Sequence, residues 1–293
     1  SMILSMTGFG RAQKVLNGRD ITVEIKSVNS RFFEYSSRMP RSCSFLDDKL
    51  KKLLNESISR GKVELSLSVQ SIDAQDTVVE PNLEMARGYL EAIRQMSVTL
   101  GVLNDVTAMS LARMPDIFTI RKAERDEEQF WQDVREVAQQ AVENFLAMRA
   151  AEGVKLREDV LSRLDTLEQY VGTVEENSAV RVQKYTEKLY ARLKAVLEDR
   201  TVDDARVLTE AALFADKTAV DEETVRLRSH IAQYRDMLSM ASPIGKKLDF
   251  LTQELNRETN TIGSKCSDVA ITRVVVEMKG EIEKIREQIQ NIE

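Results

Sequence analysis

Between positions 221 and 260 the chain concentrates side chains that bind cations and move protons. The first run is Asp221-Glu222-Glu223-Thr224-Val225-Arg226-Leu227-Arg228-Ser229-His230. At about 100° per residue, Val220, Leu227, Ile231, Tyr234 and Leu238 share one helix face. Glu222, Arg226, Ser229 and His230 lie on another, with Glu223 beside His230. Carboxylates are the oxygen ligands a hard divalent cation needs, and an adjacent imidazole completes the shell or carries a proton; phosphodiester hydrolysis uses both. A solvated face, with Glu222 and Arg226 as an i,i+4 ion pair, has the same spacing.

The second run extends from Lys246 through Asp249, Gln253, Glu254, Asn256, Arg257 and Glu258 to Asn260. Leu248, Leu251, Leu255 and Ile262 form its apolar stripe, and Asp249, Gln253, Asn256 and Asn260 line up opposite. Asn is a mediocre helix former, so two on one face carry a propensity cost that a solvated surface does not require. A binding face is favoured, because amides can bond phosphate and 2′-hydroxyl oxygens or base edges. A buried polar network between helices is the competing account. A third set, Arg11, Lys26, Arg31, Phe32, Phe33, Tyr35, Arg38 and Arg41, interleaves cations with rings, as single-stranded RNA recognition requires. Phe32 and Phe33 cannot both face solvent in an extended strand. The Ser59-Arg60-Gly61-Lys62 turn adds further phosphate donors or simply ends a helix.

Composition narrows the chemistry. The 293 residues contain a single histidine, His230, which excludes two-histidine acid–base catalysis and His-Glu-x-x-His zinc sites within one chain. Cys43 and Cys266 are far apart, so neither a disulfide framework nor a Cys-x-x-Cys metal site is expected. No Gly-x-x-x-x-Gly-Lys-Ser/Thr loop is present. No run approaches the roughly 18 apolar residues of a membrane helix, and no leader pattern is seen, so a cytoplasmic protein is expected. Charge is uneven. Residues 1–70 carry 12 Lys and Arg against 7 Asp and Glu, and the remainder 30 against 41. That asymmetry suits a chain that grips a polyanion with one part and a cation with the other, or one whose halves attract each other.

The elements that position these residues are also legible. Ile21, Val23 and Ile25 alternate with polar residues, as do Val63, Leu65, Leu67 and Val69; both runs are half-buried strands. Asn17-Gly18 predicts a tight turn that makes 6–16 and 19–29 antiparallel neighbours. Leu46, Leu50, Leu53, Leu54 and Ile58 predict a helix before the last strand. After Pro81 the strand pattern stops, and helices are expected over about 82–100 and 107–114. From about 126 to 200 no proline interrupts a pattern that predicts one long helix or a helical hairpin. At the end, Ile271, Val275, Met278, Ile282, Ile285, Ile289 and Ile292 step 4-3-4-3-4-3, a stripe that needs a partner: a bundle core or a second subunit. The expected fold class is α+β, an antiparallel-sheet domain with a helix over 2–80, a long helical connector over 81–200, and a coiled-coil-like helical domain over 201–293.

Two sets of blocks carry a resemblance. Ser5-Met6-Thr7-Gly8-Phe9-Gly10-Arg11, Glu24 to Phe32 and Ser59 to Glu64 are similar to the N-terminal blocks of the YicC/YloC family of bacterial endoribonucleases. Glu222-Glu223 with Arg226-Leu227 and Ser229-His230, Leu248 to Glu258, and Gly263-Ser264-Lys265 resemble its C-terminal domain. The resemblance spans nearly the whole chain. It implies an oligomeric, cytoplasmic, metal-dependent enzyme that cuts RNA internally, expected as a hexamer enclosing RNA.

On that footing Glu222, Glu223, Asp249, Glu254 and Glu258 are expected to hold or position Mg²⁺ or Mn²⁺. His230 is expected as a ligand or proton shuttle, and Arg226, Arg257 and Lys265 as neutralisers of the scissile phosphate. Gln253, Asn256 and Asn260, with Arg11, Lys26, Arg31, Phe32, Arg38, Arg60 and Lys62, are expected to hold RNA. Internal attack by the 2′-hydroxyl is the alternative chemistry. A non-catalytic RNA-binding adaptor that recruits other ribonucleases, and a coiled-coil scaffold without RNA affinity, are the alternative classes.

Overall fold

The structure, a computed structural model, describes residues 3–72, 77–198, 201–266 and 268–293. Strands β1 (Gly8–Leu16) and β2 (Arg19–Val28) pair antiparallel around a turn in which Asn17 and Gly18 both take positive φ, 49° and 75°, the conformation expected of an Asn-Gly hairpin. β3 (Phe33–Arg38) is followed by a 3₁₀ turn, helix α1 (Asp47–Ser57) and β4 (Gly61–Ser71). The sheet order is β1-β2-β4-β3. β4 runs antiparallel to β2 but parallel to β3, so the sheet is mixed, not purely antiparallel as expected. The reason is the α1 crossover, which returns the chain in the direction of β3.

β5 (Thr77–Pro81) and β6 (Phe118–Lys122) form a separate antiparallel pair that closes an excursion through α2 (Leu83–Leu100) and α3 (Ala108–Ala112). The sequence reading missed β6, a five-residue strand exposed throughout and therefore without alternation to detect.

α4 (Glu127–Leu197) is one unbroken helix of 71 residues, about 105 Å long, and not a hairpin. Asp126 caps it through the backbone N–H groups of Glu128 and Gln129, both at 3.1 Å. Its first part, from Phe130 to Phe145, lies on the inner face of the sheet with Leu50 and Leu54 of α1. Gly10 permits that approach: a Cβ there would sit 2.3 Å from the Ala141 carbonyl oxygen. Its second part, from Leu156 to Val174, belongs to a different core, shared with α6 (Asp221–Leu238), α7 (Gly245–Lys265) and α8 (Val269–Ile289). α5 (Asp204–Thr218) packs on the far end of α4, where Phe214 stacks on Tyr185 with ring centroids 3.9 Å apart.

Every position of the isoleucine stripe, from Ile271 to Ile292, is buried against α4 and α7. The partner that stripe demanded is therefore this chain itself. Residues 3–6 and 291–293 tie the two cores together: Met6 N–H donates to the Asn291 carbonyl at 2.7 Å, Glu293 N–H to Leu4 at 3.0 Å, and the buried Arg149 guanidinium bonds Glu293. Among the described residues no helix is long and apolar enough to cross a membrane. Cys43 and Cys266 are buried free thiols.

Candidate cation and RNA site

The α6–α7 pair brings the two sequence runs together. Val220, Leu227, Ile231, Tyr234 and Leu238 are buried as their spacing required, facing Leu248, Leu251, Leu255 and Ile262. Tyr234 and Thr252 hydroxyls, 2.8 Å apart, satisfy each other inside that contact. With the apolar stripes locked, the polar residues one step round each helix must meet on a shared flank.

On that flank His230, Glu254 and Glu258 each direct a ligand atom into a space where all three atoms lie within 4.8 Å of one another. The His230 Nε2 to Glu254 Oε2 distance, 3.8 Å, is too long for a hydrogen bond. Both imidazole nitrogens are buried without a partner. A buried polar atom left unpaired is costly, and one imidazole nitrogen with two carboxylates is an ordinary donor set for a divalent cation. The residues present therefore fit the group the resemblance implies. Arg257 lies beside them, its Nη1 3.9 Å from Glu254 Oε1.

A row of ion pairs adjoins this trio. Arg226 bonds Glu258 through Nε at 2.9 Å and approaches Glu222 at 3.4 Å and Glu223 at 3.5 Å. Lys265 Nζ is 2.7 Å from Glu223 Oε1. Burial pushes the Glu223 carboxyl up, but the Lys265 bond, its own backbone N–H and the Arg226 charge outweigh that and hold it below the usual carboxylate range. The same bond raises Lys265. Glu223 Oε2 has no partner.

Not every expected residue joins the trio. Glu222 projects into solvent, and Glu223 is engaged by Lys265 and Arg226. Asp249 sits toward the start of α7, bonded by Gln253 at 3.0 Å. Asn256 and Asn260 face solvent, so they do not form a network between helices.

The sheet residues divide as well. Arg11 is paired to Glu24 at 3.3 Å and Arg38 to Glu64 at 3.4 Å on the outer face, where Lys62 is exposed and Lys26 lies 5.9 Å from the Phe9 ring. Phe33 packs on the core, and Phe32 is 67% exposed with the Arg31 guanidinium 5.4 Å from its ring centre. Tyr35 bonds Asp47 at 2.8 Å, a structural contact. Sequence reasoning named Glu258 as a ligand but not its second engagement, to Arg226, which depends on α6 lying beside α7. It gave Lys246 no role, since that residue offered no signal beyond its charge.

The chain is thus an α+β protein with two cores, in which candidate cation ligands collect on one helix pair and the exposed Phe32 ring stands beside Arg31 on the sheet. Comparison with known proteins gives the family. Residues 3–158 match the family described as Endoribonuclease YicC-like, N-terminal region, and residues 174–293 match Endoribonuclease YicC-like, C-terminal. A protein named Probable endoribonuclease YicC from Clostridioides difficile (strain 630) is 39% identical over 293 residues, covering 100% of both chains. One of the same name from Haemophilus influenzae is 32% identical over 292 residues, again covering 100% of each. The chain belongs to the YicC-like endoribonuclease family.

Proposed function

We propose that this chain is an endoribonuclease that depends on a divalent cation, Mg²⁺ or Mn²⁺, held by His230, Glu254 and Glu258. The convergence of one imidazole with unpaired nitrogens and two carboxylates, on a flank carrying Arg226 and Arg257, carries this reading. When bound, the cation would supply Lewis-acid charge at a phosphodiester. Arg226 fixes the Glu258 carboxylate in place through its 2.9 Å bond. Arg257, 75% exposed, is free to meet a phosphate oxygen of an incoming strand. Gln253, Asn256 and Asn260 present amides along the open face of α7, where they orient the strand. Glu222, Glu223 and Lys265 set the charge and position of Arg226 next to the trio.

The partners are RNA and further copies of this chain. The α8 stripe does not support the second, being consumed inside the protomer. The 77–122 excursion does: among its residues only Ala86 and Ile117 are buried. Leu83, Ala86, Leu90, Ile93 and Leu100 form a helical stripe on α2, and Leu103 and Ile120 are 86% and 71% exposed. A helix of 18 residues draws its stability mainly from packing, and this one finds almost none in its own chain. A second copy is the expected cover.

The test is cleavage of labelled RNA by purified protein across a Mg²⁺ or Mn²⁺ titration, with EDTA as control and the product ends identified. Cutting that stops with EDTA and leaves 5′-phosphate and 3′-hydroxyl supports direct hydrolysis. Ends bearing 2′,3′-cyclic phosphate assign the attack to the RNA's own 2′-hydroxyl. RNA binding without any cutting contradicts the proposal and favours the adaptor.

A further inference from the structure

A cleft of about 650 Å³ opens where the rim of the sheet meets the start of α7, away from the cation trio. Arg31, Phe32 and Arg60 line it from the sheet side, and Lys246 and Asp249 from α7. Its cations differ from those on the outer face. Arg11 and Arg38 are cancelled by Glu24 and Glu64, whereas no carboxylate among the described residues pairs with Arg31, Arg60 or Lys246. Arg60 instead donates Nε to the Ser30 carbonyl at 3.3 Å, which fixes the loop carrying Arg31 and Phe32. The carboxylates in the wall are already engaged: Glu293 by Arg149 and Ser59, Asp249 by Gln253.

The cleft therefore offers unpaired positive charge next to an exposed ring, in a volume typical of a ligand site. Cations hold phosphates and rings stack bases, the two contacts a single-stranded nucleic acid needs. The geometry also fixes where such a strand goes next. Lys246 stands on the same helix as Glu254 and Glu258, eight and twelve residues away, or about 12 and 18 Å at 1.5 Å per residue. Phe250, Gln253 and Arg257 lie exposed along the intervening face.

We propose that this cleft is a strand-gripping subsite, holding a phosphate and its neighbouring base of the RNA about 12–18 Å along α7 from the cation trio. α7 then acts as a ruler between grip and cut. The inference rests on the reading of the trio as the cutting site, and the two can fail separately.

The experiment measures binding of a labelled single-stranded RNA 20-mer in EDTA, across a salt series, for the wild type and for Arg60→Ala with Lys246→Ala. Phe32→Ala and Phe32→Tyr are measured alongside, with circular dichroism confirming the fold. Removing two phosphate contacts lowers the slope of log affinity against log salt by about 1.4 for a single strand. Phe32→Ala weakens binding roughly ten-fold, and Phe32→Tyr, which keeps a ring, restores it. In metal-containing buffer the double variant's loss falls on KM more than on kcat.

Unchanged affinity and salt slope in the folded double variant overturn the subsite. So does a result in which AMP or inorganic phosphate binds through Arg60 and Lys246 without competing with RNA; the cleft would then be a small-anion site. If His230→Ala keeps cutting while the double variant loses affinity, the trio reading falls and the grip stands.

Discussion

The outer face of the sheet and the α6–α7 flank carry the same mixture of acids and bases and use it differently. On the sheet, Arg11 meets Glu24 and Arg38 meets Glu64, exposed pairs of the kind that contribute little and leave little free charge. On the flank, Arg226 and Lys265 engage one oxygen of Glu223 and one of Glu258, and still Glu223 Oε2 and the two ring nitrogens of His230 remain without a partner. Composition cannot distinguish these surfaces. Partner accounting can, because an unpaired buried donor or acceptor implies either a cost or a ligand.

The largest effects should come from the flank. His230→Ala and Glu254→Gln should each lower RNA cleavage by about a hundred-fold or more, while RNA affinity in EDTA stays within about two-fold. Equal losses in cutting and binding would make the flank a binding surface like any other. Next come the two apolar stripes. Ile282→Glu places a carboxylate in the bundle core and should cost more than about 3 kcal/mol, seen as lost cooperative melting. Leu90→Glu with Leu100→Glu should leave circular dichroism intact and reduce the mass by light scattering. If the mass holds, the α2 face is not the subunit contact.

Acid titration gives a smaller effect. The folded Glu223 carboxyl lies below its unfolded value, so its contribution is complete above the ordinary carboxylate pKa and is lost as pH falls through the lowered one. The melting temperature should drop between about pH 5 and pH 3. That part of the drop should be missing in Glu223→Gln. The smallest change belongs to the sheet: Arg11→Ala or Arg38→Ala should alter RNA affinity less than about two-fold, because each cation is already neutralised. A larger loss would show that the sheet pairs open for RNA.

Local patterns were readable where one chain segment determines its own burial. The alternation of 21–25 and 63–69, the Asn17-Gly18 turn and the buried stripes of α6 and α7 all follow from period and turn chemistry. Pairings that depend on a distant segment were not readable. The parallel β3–β4 contact needs the α1 crossover, and β6 is recognisable only beside β5. Periodicity showed that the α8 stripe needed a partner but not that the partner was the same chain.

The same boundary runs through the site. The helix faces of Glu222 to His230 and Asp249 to Asn260 could be drawn from spacing. Which carboxylates meet His230 depends on how α6 and α7 are offset along each other. Glu254 and Glu258 come within reach, and Asp249, about one and a half turns before Glu254 on the same helix, lines the cleft instead.

Direct titration with Mn²⁺ tests cation binding by His230, Glu254 and Glu258 without reference to activity. Calorimetry on the wild type should show about one site per chain, lost or weakened at least ten-fold in both His230→Ala and Glu254→Gln while the fold is retained. The same stoichiometry and affinity in all three proteins would contradict it.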